Sequence, residues 1–187
     1  MSICFHRNYH PAILKIASTV FPLKYVSMGK SQDKELRKFI QPYPKDVQTT
    51  ALWLRDFVWE NYPTANELIY DNYNAVALGW SVTDKLGQTF CSIALAARYC
   101  HFGFYWGSEI SDPEKRLLGK GNQYRYIIVN SPSEFPKIYM KKLLKEAWAV
   151  SMAKVKDPSD IKEGLTIVKS ISEKKRRPGS APVSKKK

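Results

Sequence analysis

Cys100-His101 places a thiol beside an imidazole, a combination that supplies a nucleophile with its base or two ligands of a metal ion. Neighbours in a strand point to opposite faces, so the two side chains are kept apart if this segment is β. Pairing residues 96 and 101 across the short reversal before His101 sets Cys91 opposite Trp106 and Cys100 opposite Ala97. The cysteines are then about 20 Å apart along the strands. Neither a disulfide nor a shared zinc fits that register, and a structural or merely exposed role for His101 stands beside the chemical ones.

Gly119-Lys120-Gly121 invites a phosphate-loop reading, because glycines let backbone N–H groups approach an anion and Lys120 adds charge. The full pattern is not met. Glu114 stands where the first glycine belongs and Gly121 where a Ser or Thr would hold magnesium. A looser anion nest helped by Arg125, or a plain glycine loop, are the two readings left. Glu109, Asp112 and Glu114 form a small acidic cluster of a kind that serves as acid and base or takes a hard cation. Lys115 and Arg116 adjoin it, and Asp112-Pro113-Glu114 is also a common way to open a helical turn. Trp80, Phe102, Phe104, Trp106 and Tyr73 could line an apolar ligand pocket, stack on bases, or make up the core of a sheet that must bury one face.

These residues need elements to position them. Pro44 suits the first turn of a helix, with Asp46 near its positive end; Val47, Ala51, Leu54 and Val58 make an apolar stripe, Arg55, Asp56 and Glu60 another side, and Pro63 ends it after about Asn61. From Glu67 the period changes to two, with Val76, Leu78, Trp80 and Val82 on one face and Ala75, Ala77, Gly79 and Ser81 on the other. Asp84 to Gly87 reads as a hairpin turn, 89–96 and 101–106 as strands, 107–121 as a long loop and 124–129 as a returning strand. Ser131 or Ser133 can cap a further helix, running to about Lys156, with Phe135, Ile138, Leu144, Ala147, Trp148 and Met152 on its apolar side. Beyond Asp157 a weak pattern of Ile161, Leu165, Val168 and Ile171 suggests one more helix before the lysine-rich end. The predicted fold class is α+β, with an antiparallel sheet of about five strands and helices packed on one face.

A chain of 187 residues, 44% hydrophobic and 13% aromatic, suits one packed domain. Its formal charge of +13 is uneven, with +4 in residues 1–31, +4 in the middle and +5 in residues 157–187. The expected organisation is therefore a poorly ordered basic leader (1–31), a folded domain (32–156) and a basic, largely disordered tail (157–187). The leader reads as a targeting segment or as residues before a later start at Met28. The tail suits loose contact with nucleic acid or an acidic partner, or serves solubility. Three cysteines make no disulfide framework and no apolar stretch approaches the length of a membrane span, so a reducing, cytoplasmic setting is expected.

The runs Tyr70-Asp71-Asn72-Tyr73-Asn74-Ala75-Val76-Ala77-Leu78-Gly79-Trp80, Phe102-Gly103-Phe104-Tyr105-Trp106-Gly107 and Asp112-Pro113, with Leu117-Leu118-Gly119-Lys120-Gly121 and Arg125, resemble the YdhG-like family, domain of unknown function 1801, over about residues 40–152. The resemblance implies a compact frataxin-like α+β fold. Where many members have Gly-x-Gly-Lys followed by Arg-His, this chain has Gly119-Lys120-Gly121-Asn122 and Arg125-Tyr126. The family includes a frataxin-like member regarded as an iron chaperone, which implies a metal-delivery alternative that relies on an exposed acidic ridge. Here Asp33, Glu35, Asp46, Asp56 and Glu60 are interspersed with Lys34, Arg37, Lys38, Lys45 and Arg55.

No nucleophile, base and orienting group assemble from these patterns, so a non-enzymatic binding or accessory domain without cofactor or metal is the leading reading. An enzyme or binder acting on a small anionic ligand is the third. Its site would lie where the 107–121 loop meets the sheet, with Arg125 as anion contact, Trp106 as apolar wall and Gly119, Lys120 and Gly121 supplying backbone donors and charge.

Overall fold

The computed structural model describes residues 33–178. The leader, Cys4 and Lys185 to Lys187 lie outside the described residues, and with them the targeting and early-start readings. A short helix α1 (Asp33–Ile40) precedes α2 (Lys45–Asn61), which starts and stops where Pro44 and Pro63 require. Strands β1 (Asn66–Asp71), β2 (Val76–Ser81), β3 (Thr89–Leu95), β4 (Cys100–Phe104) and β5 (Arg125–Val129) follow in an antiparallel meander. The helix α3 (Lys137–Ala153) then crosses the sheet, and β6 (Thr166–Ile171) closes the fold. No helix among the described residues is long and apolar enough to cross a membrane.

The sheet has six strands in the order β5-β4-β3-β2-β1-β6 and is mixed, because β6 runs parallel to β1. This corrects the expected five-stranded antiparallel sheet. The segment read as a weak further helix contains Thr166-Ile167-Val168, whose β-branched side chains favour extended backbone. Beside it β1 would otherwise present a row of unpaired backbone groups, which a sixth strand satisfies. The basic end is also docked as far as Pro178. Asp71 is fully buried and ion-pairs with both Lys175 and Arg177, and Arg177 donates to the carbonyls of Asn72 (2.9 Å) and Tyr73 (3.0 Å). Part of the run read as a free basic tail is thus a strap tied to β1.

Two helix faces differ from the sequence pattern. Arg55, expected on another side of α2 than the apolar stripe, is buried and grips the buried Glu67 of β1 with two hydrogen bonds of 2.6 and 2.8 Å. Thr166 of β6 donates to the same carboxylate at 3.2 Å, so three elements share one polar core contact. Ile138, expected on the buried side of α3, is 78% exposed, and Tyr139, Met140, Leu143, Leu144 and Ala147 fill the interface instead. The helix begins after Pro136 rather than at Ser131 or Ser133, since a residue before proline avoids helical backbone.

The core lies between one face of the sheet and helices α2 and α3. Val76, Leu78 and Trp80, then Cys91, Ile93 and Leu95, then Cys100, Phe102 and Phe104 point into it from three neighbouring strands. Phe57 and Phe135 meet Phe102 edge to face at 6.4 and 5.1 Å, and Phe90 meets Trp148 of α3 at 5.1 Å. Of the five aromatics with alternative roles, Trp80, Phe102 and Phe104 are core, as the burial of one sheet face demands, and Tyr73 is 42% exposed.

Candidate functional site

The opposite face of the sheet carries no helix of the described residues. Residues alternate across a strand, so Ala77 and Gly79 of β2, Ser92 and Ala94 of β3, and His101 and Gly103 of β4 turn toward it. These small side chains form a low floor. Tyr70, Leu86, Tyr105 and Tyr124 rise around it and enclose a groove of about 480 Å³, within the size range of small-molecule sites.

One wall depends on a glycine. A Cβ at Gly103 would overlap the Oη and ring carbons of Tyr124, so only glycine lets that ring lie flat across β4. Crossing there, the Tyr124 hydroxyl reaches Ser92 Oγ on β3 at 3.2 Å. Tyr126 stacks on Tyr124 at 5.8 Å and lies tilted against His101 at 4.3 Å, and Tyr99 extends the row at 5.3 Å. Thr89 also lines the groove. It is buried, and its Oγ1 has no hydrogen-bond partner among the described residues.

The groove is uncharged near neutral pH. Among the described residues its lining contains no Lys, Arg, Asp or Glu. Burial lowers the pKa of His101, which favours the neutral imidazole. Burial raises Tyr124 against the opposing Ser92 hydrogen bond, and burial followed by the nearby Tyr105 raises Tyr70, so both phenols keep their protons.

The five residues expected to bind an anion lie elsewhere. Arg125 does meet the glycine loop, but its guanidinium donates to the carbonyls of Gly121 (2.6 Å) and Tyr124 (2.9 Å), with its stem against Gly107 and Gly119. Those contacts, both through Nη1, make it a brace for the 119–124 turn. Gly119 takes φ +112°, while Lys120 and Gly121 are exposed. Trp106 is held away from this turn: its Nε1 donates to Gly87 O at 2.9 Å and Lys154 of α3 caps its ring at 3.9 Å. None of the five lines the groove. The loop itself is pinned by a pair of backbone bonds between Leu118 and Tyr126, and its far end delivers Gln123 and Tyr124 to the groove rim.

The acidic cluster separates in the same way. Asp112 accepts from the Tyr139 hydroxyl (2.5 Å) and from the amides of Leu117 (2.8 Å) and Arg116 (3.0 Å). Its burial alone would raise its pKa, and these bonds together bring it below the usual carboxylate range. Glu114 pairs with Arg116 and Glu109 with Lys154, so the three carboxylates share no cation site. The cysteines sit in a shifted register, Cys91 opposite Phe104 and Cys100 opposite Leu95, because the four-residue reversal is 96–99 and not 97–100. The slip is two residues, so both thiols keep the core face while His101 keeps the other, and the separation shortens to about 13 Å along the strands.

Sequence reasoning missed Tyr70, Ser92, Tyr105, Gln123 and Tyr124. The usable signal was the coincidence of small residues at alternate positions in two paired strands, Ala77 and Gly79 with Ser92 and Ala94, flanked by tyrosines. Two further clefts border α3. The one between α2 and α3 is lined by Trp53, Asp56, Phe57, Glu60, Lys137 and Lys141, and its lysines already lie over the Trp53 and Phe57 rings at 4.9 and 6.0 Å. No family model, curated relative or solved structure matches this chain.

Proposed function

We propose that this protein is a small non-enzymatic binding domain whose ligand occupies the groove on the uncovered sheet face. The observation that carries this reading is the pairing of a small-residue floor with tyrosine walls. A sheet face left to water would ordinarily be covered with long polar side chains, whereas here Ala77, Gly79, Ser92 and Ala94 leave room for something else. The groove brings hydroxyls and one imidazole together but no nucleophile aligned with a base and an orienting group, which favours binding over catalysis. Membership of the YdhG-like family belongs to this proposal and rests on the motif order between residues 40 and 152 alone.

The iron-chaperone alternative needs carboxylates free to take up a cation. Among the described residues no group of three or more His, Cys, Asp or Glu side chains is placed to hold a cation, the carboxylates of the N-terminal helices included, which favours the binding-domain reading.

Thermal-shift screening of a small-molecule library against the full chain and its Ala94→Leu variant tests the proposal. A ligand at a hundred times its Kd stabilises the native state by about 2.7 kcal/mol, enough for a clear rise in Tm. Compounds that shift the parent are expected to lose that shift in the variant, whose larger side chain fills the floor. Hits that shift both proteins equally would place the site elsewhere.

A further inference from the structure

From the chemistry of the groove lining we infer that its occupant is an uncharged, flat, mostly apolar ring system with a hydrogen-bonding group, and not the small anion that the glycine loop suggested. This rests on the groove being the binding site. Tyr70, Tyr105 and Tyr124 stand at its walls and Ala77, Gly79 and Ala94 lie beneath, a shape that receives a ring lying on the sheet.

Charge decides the class. An ion entering the groove would shed water and find no Lys, Arg, Asp or Glu in the lining to replace it. Of the cations in the flanking segments, Arg125 is engaged by the carbonyls of Gly121 and Tyr124 and Lys85 by Asp160. A neutral ring meets no such penalty. Its polar group finds the Ser92–Tyr124 hydroxyl pair, either member of which can donate.

Two fluorescent probes sharing one ring skeleton test the inference on the full chain: neutral N-phenylnaphthylamine and its sulfonated counterpart anilinonaphthalenesulfonate. The neutral probe is expected to bind saturably, and at least about ten-fold more tightly than the sulfonate. Ala94→Leu should weaken it by about ten-fold or more, and Ala77→Leu on the neighbouring strand supplies the same comparison should the first variant fail to fold. Equal or tighter binding of the sulfonate at a site sensitive to these variants would overturn the neutral-ligand inference while leaving the groove as the site. Absence of binding by both probes, or binding that ignores both variants, would overturn the groove reading itself and this inference with it.

Discussion

Gly103 and Tyr124 determine whether the groove exists. The ring of Tyr124 occupies the space a side chain at 103 would take, and its hydroxyl ties the entry to β5 to Ser92 of β3 across the intervening strand. Gly103→Ala must push the ring off the sheet, an overpacking change expected to destabilise by about 1–3 kcal/mol and to abolish ligand shifts together. Tyr124→Phe keeps the ring and removes the hydroxyl contact, and should lower stability by only about 0.5–1.5 kcal/mol. Urea unfolding of the two variants checks the order. A Gly103→Ala protein as stable as the parent would mean that the ring does not lie over residue 103.

Among the elements, β6 and the residues that follow it carry more than their composition suggests. Asp71 has no exposure to solvent, and its two cations, Lys175 and Arg177, come from the run after β6. Lys175 and Arg177 also lie over the rings of Phe39 and Tyr43 at 5.6 and 5.9 Å, so the same few residues hold α1 and the turn after it against the sheet. A chain ending after Ser172 keeps β6 but strips Asp71 of both cations and of the side chains that cover it. It should be less stable than a chain ending after Pro178, by less than the roughly 3–5 kcal/mol of a pair broken in place, because water reaches the bared carboxylate. Denaturant unfolding of the two truncated chains measures the difference, and equal stabilities would show that the strap contributes nothing.

At the scale of the whole molecule, the described residues form one core with Cys91 and Cys100 inside it. Burial raises both thiols, Cys100 to about 12, with a smaller contribution there from Asp46, so neither ionises in the native state at neutral pH. In a Cys4→Ser variant the two should react with a thiol reagent only as fast as the whole domain opens, at one common rate that rises with urea. Fast labelling of either thiol under native conditions would show a core less continuous than the packing implies. Much of this architecture was legible in the chain itself. Pro44 and Pro63 bounded α2, the period-two runs marked β2 to β5, and the alternation put Cys100 and His101 on opposite faces, because backbone restriction and side-chain direction act over a few residues. What only the tertiary structure decided was non-local. The open edge of β1 recruited 166–171 as a strand, Glu67 drew Arg55 into the core, and the crossing of α3 left Ile138 outside. The groove belongs to that second kind, since its floor is ordinary small residues until β3 and β4 are paired and both long helices fall on the other side of the sheet.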